Sequence, residues 1–154
     1  MLSDTYLVYV RINFYLKNQI GKIAGMTQEE KMDVYRDWKP LVNMTVVEIL
    51  NFATSPEGKS AGLSRKEAAE KGIKSGRESA LALIRMIPKG RGMITALEYW
   101  TPSDWRWAKR QISFIRRMLG MRKRIQGNPY YKEGKMTRWL AALMIWGHDP
   151  RKTQ

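Results

Sequence analysis

The sequence predicts an all-α fold, a small single-domain helical bundle with a long basic amphipathic helix near residues 102–124. Three observations predict it. Helix-capping signals recur along the chain. Apolar residues recur at three- and four-residue spacing between glycine and proline breaks. The one stretch that alternates as a strand would, Val8 to Leu16, finds no second strand to pair with. With 154 residues and 44% hydrophobic content the chain holds enough apolar side chain for one core, so residues 1–154 are expected to form one domain.

The start, MLSDTYLVYVRINFYLKNQI, is apolar but carries Asp4, Arg11 and Asn13. That composition fits neither a signal peptide nor a membrane span, and it predicts a buried helix. Thr27 with Glu30, Ser64 with Glu67, and Ser75 with Glu78 have capping-box spacing, in which a hydroxyl and a carboxylate each satisfy a free backbone N–H. These predict helices over 28–38, 65–71 and 76–87, with a further helix over 41–53. Thr101-Pro102-Ser103-Asp104 sets a cap residue, a proline at the first helical position and an acid at the positive helix end. It opens the helix over 102–124. Thr137 caps a last helix over 138–146, stopped by Gly147 and Pro150. Gly72, residues 88–92 and residues 126–135 read as breaks.

Composition narrows the function. Cysteine is absent, which excludes disulfides and thiolate metal sites and suits a reducing compartment, a host cytoplasm or a virion interior. A single histidine, His148, builds no multi-histidine metal site. The net charge of +14 is uneven: residues 1–50 hold 6 basic and 6 acidic side chains, residues 51–100 hold 9 and 5, and residues 101–154 hold 13 and 3. Residues 1–55 thus make a neutral part and residues 56–154 a basic helical part. A charge gradient of this kind predicts a polyanion at the basic end.

On a helical wheel the 102–124 segment divides. Trp105, Trp107, Ala108, Ile112, Phe114, Ile115, Met118, Leu119 and Met121 take one arc, and Arg106, Lys109, Arg110, Arg116, Arg117, Lys123 and Arg124 take the other. The basic stripe is about 27 Å long. Solvated helix faces usually mix signs, because opposite charges at i,i+4 attract and like charges repel by a few tenths of a kcal/mol. A stripe with no acid on it gains from a polyanion, whose phosphates release condensed counterions when neutralised. Arginine outnumbers lysine five to two, and its planar fork suits phosphate. Lys74 and Arg77 at one helix start, and Lys135 and Arg138 at another, extend the expected nucleic-acid surface. Tyr130-Tyr131-Lys132 offers rings that either stack on unpaired bases or pack on the domain, with packing the expected outcome. Trp100, Trp105, Trp107, Trp139 and Trp146 are expected to anchor the long helix to the last one.

Other motifs weigh less. LSRKEAAEKGIKSGRESALALIRM (63–86) partly fits a helix-turn-helix, but Lys71 and Glu78 stand where that motif wants apolar packing, so an ordinary helical hairpin is expected. ATSPEGKS (53–60) has the form of a phosphate loop with Ala53 for its first glycine. Glu57 beside the phosphates and Gly62 in the following helix argue for a polar loop instead. Glu57-x-Lys59 and Glu133-x-Lys135, with Asp37 or Asp104 upstream, have the form of half a metal nuclease site but fall in glycine turns. His148-Asp149 reads as a capped helix end.

Three blocks, GLSRKEAAEKGIKSGRESA (62–80), WRWAKRQISFIRRM (105–118) and GKMTRWLAALMIWGHDP (134–150), resemble small basic proteins encoded by phages and related mobile elements. The resemblance implies a viral or mobile-element setting and brings no activity with it. The expected function is non-enzymatic binding of DNA or RNA through phosphates, with no catalytic residue, metal or cofactor and no membrane partner. The alternative is a virion or assembly component that meets an acidic protein surface or a packaged genome, and the third reading is a small metal-dependent nuclease.

Overall fold

Thr27, Ser75, Thr101 and Thr137 all begin helices in the computed structural model, which describes residues 3–61, 65–72 and 74–153, side chains excepted at 17–24, 65 and 153. Thr27, Ser75 and Thr101 each accept a hydrogen bond from the backbone N–H three residues on. Glu30, Glu78 and Asp104 accept in return from the cap residue's N–H. The expected cap at Ser64 lies outside the described residues, as do Gly62 and Ile73 of the neighbouring motifs.

The fold is all-α. In order it comprises α1 Asp4–Ala24, α2 Gln28–Leu41, α3 Val46–Thr54, α4 Pro56–Lys59, α5 Arg65–Glu70, α6 Gly76–Lys89, α7 Met93–Tyr99, α8 Pro102–Gly120 and α9 Arg138–Ile145. A 3-10 turn, Met121–Arg124, extends α8, and another, Pro150–Thr153, follows α9. Strands β1 Tyr131–Lys132 and β2 Lys135–Met136 pair antiparallel, with Tyr131 opposite Met136.

Several boundaries correct the sequence expectation. The α2 helix runs through Pro40, which sits in its last turn, and α3 starts late because Thr45 and Glu48 form a capping box of their own. The supposed polar loop 53–60 is helical: α3 ends at Thr54 and α4 follows with Ser55 as its cap. Gly58 is buried there and must be glycine, because a Cβ on it would collide with the Phe52 carbonyl oxygen. The break at 126–135 contains β1 and the turn to β2. Helix α7 went unpredicted altogether. The α1 segment is helical as expected but is largely uncovered: Val8, Tyr9, Ile12, Tyr15 and Leu16 are each more than half exposed. Among the described side chains of α1, only Val10, Asn13 and Phe14 turn partly inward.

The core is built around α6 and α8. α6 packs on α3, α8 and α9, and α8 packs on α2, α6 and α9. An aromatic chain runs through α2 into α8: Tyr35 lies 6.1 Å from Trp38, Trp38 lies edge-on to Trp100 at 4.8 Å, and Trp100 lies 4.8 Å from Trp105. Trp100 and Trp105 therefore tie α8 to α2 and not, as expected, to α9. The expected link to α9 comes from Trp107, 6.3 Å from Trp146, and from the Trp139 indole, which donates to the Met118 carbonyl at 2.7 Å. Gly90 must be glycine, because a Cβ would come within 2.4 Å of the Trp100 ring.

α6 packs on α3, α8 and α9 and its exposed Arg85 is bound to Asp104, while Gly72 takes φ 68°; the hairpin expected over 63–86 includes residues outside the described ones. The last helix ends as a Schellman motif. Gly147 at φ 89° donates to the Met144 carbonyl, and His148 N–H donates to Leu143. His148 is buried and its Nδ1 meets the Leu41 carbonyl at 2.6 Å, so His148-Asp149 is part of a helix end. Among the described residues no helix is long and apolar enough to cross a membrane.

Candidate nucleic-acid interface

The register of α8 is set by its buried face. Asp104, Trp105, Ala108, Gln111, Ile112 and Ile115 are buried, which turns Arg106, Lys109, Arg110, Arg116 and Arg117 to the surface, all exposed. Gln111 fixes the rotation most firmly. Fully buried, it accepts from the Trp38 indole at 2.7 Å. Past Gly120 the chain tightens to a 3-10 turn at three residues per turn, so the wheel drawn through residue 124 does not hold there. Met121 is 43% exposed instead of apolar-facing, and Arg122, Lys123 and Arg124 are exposed beside it.

The sequence-predicted cations separate into groups. Arg116 leans toward α2 and pairs with Asp37 at 3.2 Å, both half exposed. Among the described residues no carboxylate stands at ion-pair distance from Arg106, Lys109, Arg110, Arg117, Lys123 or Arg124. Aromatic rings hold two of these in place: the Arg110 guanidinium lies 5.3 Å from the Trp107 ring centre, and that of Arg117 lies 5.7 Å from Phe114. Such contacts position a cation without cancelling its charge.

Lys74 joins the stripe in space. With Lys109, Arg110 and Arg117 it edges a cavity of about 700 Å³ between the start of α6, α8 and α9, and no Asp or Glu lies among the described residues lining it. Gly76 permits this approach, since a Cβ on it would stand 2.7 Å from Ile145 Cγ2 on α9. Arg77, one turn away, lines a different cavity together with Glu67 and Glu78. Lys135 lines a third, with Glu48, Glu57 and Asp149. Both cations thus share their cavities with carboxylates, unlike the cavity that Lys74 edges. Arg138 is exposed at the first turn of α9, next to the Trp139 that grips the end of α8. Tyr130 packs on Trp139, centroids 6.3 Å apart, so the packing reading of that tyrosine holds. The Tyr131 hydroxyl accepts from Arg151.

Several residues of the other motifs have structural partners. In 53–60 the N–H groups a phosphate loop would offer are turned inward: Gly58 N–H donates to Ser55 Oγ, Lys59 N–H to the Ser55 carbonyl, and Ser60 N–H to Pro56. Asp104 is fully buried, holding Arg85 and the Thr101 N–H. Asp149 is held by Arg151, whose side chain keeps the Asp149 carboxyl below its ordinary range. Among the described residues no three His, Asp or Glu side chains converge as a metal site would require.

The feature missed by sequence reading is the cavity edge, which needs α6, α8 and α9 together. The local signal for it was Gly76, a glycine at the first position of a capped helix. No protein-family model, no curated protein and no solved structure matches this chain, so the functional reading stands on the geometry of α8 and its neighbours.

Proposed function

We propose that this protein binds nucleic acid through the exposed cations of α8 and its 3-10 extension, as a binding component and not an enzyme, in the phage or mobile-element setting that its sequence blocks suggest. One observation carries the reading. Six cations, Arg106, Lys109, Arg110, Arg117, Lys123 and Arg124, lie on α8 and the 3-10 turn that extends it, with no acid partner among the described residues, and two of them are braced by aromatic rings. A face kept for solubility gains from mixed signs. A face kept for phosphate gains from unpaired arginine.

Fluorescence anisotropy with a labelled duplex across a salt series tests it. Engagement of all six gives a log–log slope of about −5. A slope near zero, or no binding at about 50 mM salt, removes the reading. A second reading, an assembly component, draws on α1. Its outward Val8, Ile12 and Tyr15 form an apolar stripe at three- and four-residue spacing that a protein partner would cover.

A further inference from the structure

We infer that the cavity beside the basic stripe receives an unpaired base, so that the protein prefers single-stranded nucleic acid to duplex. The inference rests on the nucleic-acid reading above and adds the form of the ligand. Its ground is the contrast between the edge and the floor of the cavity. The edge is cationic, with Lys74, Lys109, Arg110 and Arg117. The floor is apolar and aromatic: Phe114 stacks on Trp146 with centroids 4.2 Å apart and planes 15° from parallel. Arg117 lies over the Phe114 ring, so a guanidinium plane and an aromatic plane adjoin at the mouth.

Duplex nucleic acid presents phosphates outward and keeps its bases paired within, so it meets the edge but leaves the floor empty. A single strand can keep its phosphates on the arginines and turn one base inward. There the base exchanges water for the apolar floor and the outer plane of the Arg117 guanidinium, a surface of the kind by which proteins hold single strands. The volume, about 700 Å³, lies in the range of sites that hold molecules of nucleotide size. A solubility surface has no need of a hydrophobic floor beneath its charges.

The test uses the whole chain and three probes of equal length, about 15 nucleotides: oligothymidylate, an abasic strand with the same phosphates, and a duplex. Oligothymidylate should bind at least about tenfold more tightly than the abasic strand, with a similar salt slope, because the difference lies in the base. Two variants fill the cavity without altering charge, Ser113→Leu from α8 and Ala142→Leu from α9. Each that retains its circular dichroism spectrum and melting temperature should lose the preference for oligothymidylate over the abasic strand, while duplex affinity stays within about twofold. Two variants on different helices keep the test open if one fails to fold. Equal affinity for the oligothymidylate and abasic strands in the wild type, or a preference that survives both fillings, overturns the base site and leaves the phosphate reading standing. Loss of binding to all three probes in the wild type overturns the reading beneath it.

Discussion

The Arg110 guanidinium carbon lies 5.3 Å from the centre of the Trp107 ring, one turn earlier on α8. Arg117 repeats the arrangement over Phe114 at 5.7 Å. Each contact is worth about 0.5–1 kcal/mol at an exposed site. Replacing Arg106, Arg110 and Arg117 by Gln forgoes that but relieves repulsion of a few tenths of a kcal/mol per like pair. The melting temperature should therefore move by only a few degrees. Nucleic-acid affinity should fall, and the salt slope should become shallower by up to about 3. Arg116→Gln is the internal comparison. Asp37 already meets its charge, so it should change the slope less than Arg110→Gln does. An unchanged slope in the triple variant would place the phosphates on another surface.

Arg85 and Asp104 should respond unequally to substitution. Asp104 is fully buried and accepts from Arg85 Nε at 3.0 Å and Nη2 at 2.8 Å, whereas the Arg85 side chain is 46% exposed. Arg85→Gln leaves a buried carboxylate whose remaining partner is the Thr101 N–H, and should destabilise the protein by about 3 kcal/mol. Asp104→Asn releases an arginine that water can solvate and keeps a side-chain oxygen for the cap. Its expected effect is about 1–2 kcal/mol. Urea titrations of the two variants decide it, and equal losses would mean that Arg85 is held chiefly by packing.

Three helix starts were legible from local caps, while the equally local box of Thr45 and Glu48 was passed over within the expected 41–53 helix. Thr27, Ser75 and Thr101 each have their acid three residues on, and the structure contains all three boxes. The α7 helix was illegible for want of a cap side chain. Its cap residue is Gly92, and the cap comes from inside the helix, where the Thr95 hydroxyl accepts from Gly92 N–H and donates to its carbonyl. Seven residues between a glycine turn and Thr101-Pro102 carry too little period to read, and burial of Ala96 and Leu97 settles the element. The stripe on α8 was legible from periodicity, but its neutralisation was not. Asp37 reaches Arg116 from another helix, and Lys74 reaches the stripe only because α6 starts beside α8. The α1 helix was read from the lack of a partner strand, against the alternation of Val8 to Leu16, and that reading gave no indication of what covers its apolar side chains.

The carboxy-terminal turn should loosen in acid. Lys152 donates to Glu48 at 2.8 Å and Arg151 to Asp149 at 2.9 Å, tying residues 150–153 to α3 and the end of α9. The Lys152 hydrogen bond holds the Glu48 carboxyl below its ordinary 4.5, and the Arg151 hydrogen bond holds Asp149 below 3.8. A carboxyl depressed in the folded state contributes stability that is full above its ordinary pKa and is lost as pH falls through the lowered value. Amide exchange of residues 151–153 should thus show protection that is flat from neutrality to about pH 5 and falls below about pH 4. Asp149→Asn should lower protection at neutral pH and flatten that acid limb. An acid limb unchanged in Asp149→Asn would assign it to other carboxylates.

Gln111 separates the folding of α8 from its binding. Its amide oxygen accepts from the Trp38 indole at 2.7 Å, while its nitrogen has weaker partners, Ser79 Oγ at 3.5 Å and Met86 Sδ at 3.9 Å. Gln111→Leu keeps roughly the volume and removes the acceptor, leaving a buried indole N–H without one. That should destabilise the protein by about 1–3 kcal/mol. Trp38→Phe in the same background removes the stranded donor, so the double variant should be less destabilised than the sum of the two single changes. Gln111 lies on the buried face of α8, opposite Arg106, Lys109 and Arg117. Below its melting point Gln111→Leu should therefore bind oligonucleotides with unchanged salt slope and nearly unchanged affinity. If affinity falls while the helix content and melting cooperativity are retained, the Trp38–Gln111 bond fixes the rotation that presents the stripe, and α8 turns in its absence.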